Sequence, residues 1–493
     1  MKKATAGILT TAISGLIFIF PAYRTYAQGD CNPKLDCFSI VVGRGASADG
    51  SVIVAHNEDT GTKLVNYYKV PPMDHQPGEE IRFETGGKTL QASHTLGYLW
   101  INLPVCDVCD TYINESGVFV GSNGCPSRED KPELTNGGIV FWLRRIVAER
   151  ARTAREGVRI AGNLIGEFGY ASSGRTYLIA DSKECWIMNV VNGKHWVAQR
   201  VPDNAVAVIP NSYTIREINP ADTANFLGSP DIVDYAVGRG WHDPANGKPF
   251  IFTEAYSSPG SLSHPDNINR MWRATELLSG RKYDVKGVLP FSFMPVKKVS
   301  IQDAMKVLRD HYEGMELDKS KLYTAGNPHR MNSGTICSGG SQYSVLVQLR
   351  SWLPVDIGTL VWIAPFRPCT QAYTAWYPAI NSIPARYAQG DFESGLEHHF
   401  DPAFSKGEDK HHAFRVFVSL VDTVDQDYGK FIVPVREAWH SFEEINFREQ
   451  ERVEREAIEM NKMDPQKAVK MLSGYTSHVA MEVYREAKKL NKK

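Results

Sequence analysis

Residues 37–53 read CFSIVVGRGASADGSVI. Two apolar, β-rich runs, FSIVV (38–42) and SVIVA (51–55), flank GRGASADG, whose Gly, Ser and Asp residues are turn formers, so the stretch reads as a β-hairpin. Cys37 opens its first strand, and the polar, turn-forming run QGDCNPKLD (28–36) precedes it. A cysteine nucleophile works as its thiolate and needs a base or a positive charge nearby. If the peptide bond before Cys37 is cut, the new α-amine lies beside its own thiol, and with a pKa of about 8 it can take the proton near neutral pH. A histidine in the papain-like role is then not required.

Upstream, Met1-Lys2-Lys3 is a short basic start, AGILTTAISGLIFIF (6–20) is mostly apolar, Pro21 ends the run, and Thr25-Tyr26-Ala27 offers small residues at a cleavage spacing. This is the three-part layout of a secretory signal peptide. The apolar run is shorter than the ~20 residues a membrane span needs. The expectation is a signal peptide (1–27), a propeptide (28–36), export to the periplasm or beyond the cell, and no stable membrane insertion after cleavage. With 493 residues, 42% of them hydrophobic, the chain can bury a large core, and a formal net charge of -1 offers nothing to attract nucleic acid. Export permits disulfides among the eight cysteines, at 31, 37, 106, 109, 125, 185, 337 and 369, but their pairing is not legible in sequence. Cys106 and Cys109 form a CxxC, read as a local disulfide or two plain thiols. No second CxxC completes a zinc site, so no metal is expected.

Downstream, GVFVG (117–121) is a short strand. Ile139, Trp142, Leu143, Ile146 and Val147 recur at helical spacing, with charged ERARTARE following on the exposed side and a second helix at 158–168. TYLIA (176–180), CWIMNVV (185–191) and AVAVI (205–209) are strands, whereas 215–300, rich in Pro, Asn, Ser and Gly, resists assignment. Ser300 caps a helix over 301–313, YSVLVQL (343–349) and GTLVWI (358–363) are strands, and Asp464-Pro465 starts a final helix with Ala468, Leu472, Tyr475, Val479 and Val483 on one face. Strands, helices, strands and helices in that order make an α+β chain. The pairs His398-His399 and His411-His412 read as solvated loop, and Trp352, Trp362 and Trp376 as core.

The opening at Cys37 resembles that of the mature secernin/dipeptidase-A family of cysteine peptidases, which are N-terminal nucleophile hydrolases. INESGVFVG (113–121), RRIVAERARTAREGV (144–158), YLIADSKECWIMNVVNGKHWVAQRVPD (177–203), IPNSYTI (209–215), NINRMW (267–272) and TICSGGSQYSVLVQLRSWLP (335–354) resemble its further segments in the same order. The resemblance implies a four-layer αββα core over 37–400, with 401–493 a mostly helical extension packed on it. It also implies dipeptidase activity on small peptides without metal or organic cofactor. It assigns Cys37 as nucleophile and base, Asp59 as the acidic residue near the amine, Asn114 and Asn211 as polar groups at the oxyanion, and Arg270 as the source of positive potential. Glu58 competes with Asp59 and Arg273 with Arg270, while Asn114 and Asn211 also suit turns. His56 stands where the family often has arginine, and is assigned to substrate binding. An amidase for acylated amines (penicillin- or bile-salt-type) and a non-enzymatic surface protein are the alternatives. Homo-oligomerisation is left open.

Overall fold

The computed structural model describes residues 37–61, 64–406 and 410–492. The expected signal peptide and propeptide lie outside them. Fourteen strands build two antiparallel sheets: β1 (Phe38–Val42), β2 (Val52–Asp59), β3 (Asn66–Val70), β4 (Tyr98–Asn102), β5 (Thr111–Asn114), β6 (Phe119–Gly124), β7 (Tyr170–Ala180), β8 (Cys185–Gly193), β9 (Trp196–Arg200), β10 (Val206–Ile209), β11 (Phe226–Gly228), β12 (Ser341–Leu349), β13 (Thr359–Pro365) and β14 (Thr374–Trp376). One sheet runs β10-β1-β2-β12-β13-β14; the other runs β11-β9-β8-β7-β6-β5-β4-β3. The hairpin read at 37–55 is β1–β2, in the register Phe38↔Asn57, Ser39↔His56. Every residue of β1, β2 and β12 is buried, so these strands are covered on both faces.

The main helices are α1 (Phe141–Arg150), α2 (Ala154–Phe168), α3 (Pro265–Ser279), α4 (Ile301–Leu308), α5 (Ala413–Gln426), α6 (Tyr428–Met463) and α7 (Pro465–Leu490). Helices α1 and α2 pack on the eight-stranded sheet; α3, α4, α6 and α7 pack on the six-stranded one; the two sheets approach each other at β2 and β7. Among the described residues the fold is thus mixed α/β with two large antiparallel sheets and two further two-stranded ones. Among the described residues no helix is long and apolar enough to cross a membrane.

Local chemistry sets the helix ends. Ser300 and Asp303 form a capping box on α4, and Asp464 caps α7 with Pro465 in its first turn. Helix α4 stops at Leu308, earlier than its apolar stripe suggests, and the Leu308 carbonyl accepts a hydrogen bond from Asn57 (2.9 Å). The chain left unassigned at 215–300 contains α3, a fifteen-residue helix.

Three sequence readings are corrected. Glu149 is buried, not exposed, because it pairs with buried Arg145 at 2.6 Å. His399 and His412 are buried as well: His399 accepts from Asn102 (2.9 Å) and hydrogen bonds the Cys106 carbonyl (2.8 Å), and His412 meets Asn66 (3.0 Å). Trp362 and Trp376 are core, but Trp352 is 53% exposed. Cys106 and Cys109 are free thiols.

Two glycines of α2 make a paired test of packing. Alanine ordinarily stabilises a helix interior over glycine by about 0.5–1 kcal/mol. At exposed Gly166 a Cβ meets nothing within 4 Å, but at Gly162 it would lie 2.1 Å from the Trp196 ring. Gly166→Ala is expected to raise stability by that amount, and Gly162→Ala to lower it by about 1–3 kcal/mol through overpacking. Equal shifts in thermal unfolding would contradict the packing of Trp196 on α2.

Candidate active site

Side chains alternate along a strand, so Cys37 and Ser39 share one face at the start of β1, and His56 and Glu58 share one face of β2. Continuing the hairpin register by one residue sets Cys37 opposite Glu58. The Cys37 thiol is fully buried and donates to Glu58 Oε1 at 3.2 Å. The second Glu58 oxygen meets His56 Nε2 at 3.0 Å, and His56 Nδ1 meets Ser39 Oγ at 2.8 Å. Ser39 Oγ then donates to Asn123 Oδ1 at 2.6 Å. Asn123, on β6 of the other sheet, returns the path to its start: its Nδ2 donates to the carbonyls of Cys37 (3.3 Å), Ile209 (2.9 Å) and Pro210 (3.4 Å). Five side chains and one backbone carbonyl therefore close a ring between the sheets.

Donor counting orients this ring. Three carbonyls around Asn123 Nδ2 require the amide nitrogen there, so Asn123 Oδ1 faces Ser39 and takes its only hydroxyl proton. His56 Nδ1 must then carry a hydrogen toward Ser39. One further proton lies between His56 Nε2 and Glu58 Oε2, on either the ring or the carboxyl. Asn57, pointing to the opposite face of β2, binds the Leu308 and Ile336 carbonyls, both at 2.9 Å.

Arg270, buried on α3, donates to the Cys37 carbonyl (3.4 Å), to Asn211 Oδ1 (2.9 Å) and to Asn267 Oδ1 (2.9 Å). Asn211 follows β10 and donates its own amide to the Gly124 carbonyl (2.9 Å). Burial pushes the Cys37 thiol well above its usual range, the Glu58 and Asp59 carboxylates push it further, and the Asp59 backbone amide and the Arg175 charge oppose them. In this chain, with residue 37 still in peptide linkage, the thiol holds its proton and needs a base to attack.

The structure thus brings Cys37, His56, Asp59, Asn211 and Arg270 together. It places Asn114 elsewhere: its amide donates to the Ala148 (2.9 Å) and Ala151 (2.7 Å) carbonyls at the end of α1, and its oxygen accepts from the Ser116 and Val118 amides. Arg273 is taken by Asp310, at 2.7 Å. Both ring nitrogens of His56 are engaged, which leaves neither for a substrate. Sequence reading passed over Ser39, Asn123 and Asn267. Strand alternation pairs Ser39 with Cys37 and Glu58 with His56, and was the available signal; nothing local marks Asn123, which arrives from the other sheet.

Residues 129–403 match the model of peptidase family C69. The chain is 28% identical over 370 residues to a probable dipeptidase of Salmonella dublin, covering 72% of this chain and 83% of that protein. It is 28% identical over 391 residues to a dipeptidase of Bifidobacterium longum (strain NCC 2705), covering 71% and 72%. Among solved structures it resembles a mutant of the conjugated bile acid hydrolase from Clostridium perfringens at a TM-score of 0.32 and 10% identity, over 69% of this chain and 92% of that one.

Proposed function

The chain belongs to peptidase family C69, and on that premise we propose that it is an exported cysteine dipeptidase whose nucleophile, Cys37, becomes the N-terminal residue when the propeptide is removed. The observation that carries the reading is the position of Cys37: a buried thiol at the head of the hairpin, with Glu58 on its sulfur and Asn123 and Arg270 on its carbonyl. The two facing sheets with helices packed on each support the four-layer αββα arrangement of N-terminal nucleophile hydrolases. The basic, apolar and small-residue pattern of residues 1–27 supports export, to the periplasm or outside the cell.

In the mature enzyme the α-amine of Cys37 takes the thiol proton. The sulfur forms a bond to the scissile carbonyl carbon, and the resulting tetrahedral oxyanion is held by preorganised donors. Asn123, whose amide binds the Cys37 carbonyl, positions residue 37 in the place where Asn114 was expected to act; Asn211 acts with it by fixing the Arg270 guanidinium. The C–N bond then breaks, and the α-ammonium returns its proton to the leaving amine. Water attacks the thioester, gives its proton to the α-amine, and releases the acid and the free thiol. The Asp59 backbone amide reaches the thiol and its carboxylate adds negative potential there, suited to the ammonium that forms twice in this cycle.

A chain produced to begin at Cys37 is expected to hydrolyse dipeptides at once. A chain beginning at Gln28 is expected to be slower by about 10²-fold or more, the usual worth of a general base, and to gain activity in step with the mass loss of residues 28–36. Full activity with that leader intact contradicts the α-amine mechanism. Faster hydrolysis of acylated amino acids than of dipeptides makes the protein an amidase instead.

A further inference from the structure

Away from Cys37, four side chains converge that the proposed peptidase chemistry does not use. His311 follows α4, His329 lies on the short helix Pro328–Met331, Cys337 leads into β12, and Cys369 follows β13. One ligand atom from each lies within 4.8 Å of the other three. In a tetrahedral zinc centre, with Zn–S of about 2.3 Å and Zn–N of about 2.0–2.1 Å, ligand atoms sit roughly 3.3–3.8 Å apart, so only small shifts are needed. Cys369 Sγ and His329 Nε2 are already 3.4 Å apart.

The surroundings are those of a ligand set. His311 is fully buried, and its Nε2, which makes no hydrogen bond of good geometry, lies against Cys369. Its other nitrogen, Nδ1, is held by Glu313 at 3.0 Å. A carboxylate on one imidazole nitrogen while the other faces a cluster of thiols is the arrangement that orients histidine onto a metal. Tyr428 donates to Cys369 Sγ at 3.6 Å, an outer-shell bond to a second ligand. Cys369 and Glu313 also line a cavity of about 300 Å³, which supplies a route of entry.

We propose that His311, His329, Cys337 and Cys369 form a structural zinc site. Four protein ligands close a tetrahedron and leave no position for substrate or water, and mixed thiolate and imidazole donors select zinc. The centre clamps residues 309–340, a segment with little regular structure in which Tyr312, Lys321, Leu322 and Tyr323 hold positive φ. One face of that clamp touches the catalytic strand, because Asn57 on β2 binds the carbonyl of Ile336, next to Cys337.

The test uses the full mature chain, purified without chelator, incubated with zinc and dialysed. Elemental analysis is expected to find about one zinc per chain, and cobalt substitution to produce the visible absorption of a tetrahedral cobalt–thiolate centre. Cys337→Ser with Cys369→Ser is expected to lose both signals, and Cys185→Ser, a buried thiol outside the cluster, to keep them. Should the double variant fail to fold, Glu313→Gln decides: it leaves all four ligands in place and is expected to weaken zinc binding about 10–100-fold. A wild-type chain that retains no zinc overturns the proposal, whether alkylation and intact mass then find Cys337 and Cys369 as free thiols or as a disulfide with each other.

Discussion

Cys37→Ala is expected to cut dipeptide hydrolysis by about 10⁴-fold or more, leaving only what binding and oxyanion donors provide by themselves. The variant also removes a buried donor from Glu58, which costs about 1–3 kcal/mol of stability for the carboxylate left without it. Lost activity and lost structure must therefore be separated, and Cys37→Ser does so. Its hydroxyl still donates to Glu58 Oε1, so the ring stays closed and the melting temperature should stay near that of the parent. Its hydroxyl is far less acidic than a thiol and an intrinsically weaker nucleophile in a site shaped around sulfur, so activity should still fall steeply. Steady-state hydrolysis, with thermal unfolding alongside, reads both. A Cys37→Ala chain that hydrolyses dipeptides at the parental rate removes Cys37 from the mechanism and leaves the family's chemistry to another group.

Glu58→Ala is expected to lower stability by about 3–5 kcal/mol, the cost of removing one member of a fully buried hydrogen-bonded pair and leaving both of its partners unsatisfied. It leaves the thiol without its acceptor and His56 Nε2 without its neighbour, at a place where no side chain of the ring is exposed. Glu58→Gln should change stability by about 1 kcal/mol or less, and donor counting says why. Its carbonyl accepts from Cys37, its amide donates to His56 Nε2, and His56 Nδ1–H still donates to Ser39, so every polar atom keeps a partner. The same change removes a negative charge that pushes the Cys37 thiol upward. The thiolate becomes easier to form, and the acidic limb of kcat/KM should move to lower pH. Equal destabilisation by alanine and glutamine would mean that shape, not hydrogen bonding, holds Glu58. An unmoved acidic limb would mean that its charge does not reach the nucleophile in the mature enzyme.

The contrast between these variants follows from where the site sits. Its members lie on β1, β2, β6 and α3 and after β10, and meet in the space between two sheets where water cannot stand in for a missing partner. Each exchange there is decided by whether the replacement reproduces the donors and acceptors.

By itself the sequence determined the elements with strong local signals. Alternation and turn residues placed the β1–β2 hairpin with Cys37 at its head. A serine cap started α4, and Asp464-Pro465 started α7. Helical spacing found α1, and the ordered segments along the chain pointed to the peptidase family that the match over 129–403 bears out. These features depend on residues a few positions apart, which is the range over which backbone hydrogen bonding and side-chain period act. Only the tertiary structure decided which groups surround the thiol. Glu58 lies 21 residues from Cys37, Asn123 lies 86, and Arg270 lies 233. No local period couples such positions; sheet register, and the approach of one sheet to the other, bring them together. The same holds for the histidines: His399 and His412 look solvated beside their charged neighbours yet are buried on partners from β4 and β3, and His311, His329, Cys337 and Cys369 share no spacing that marks a metal site. Charge and polarity in a short window say what a residue costs to bury, and only the fold says whether the partner that offsets that cost is present.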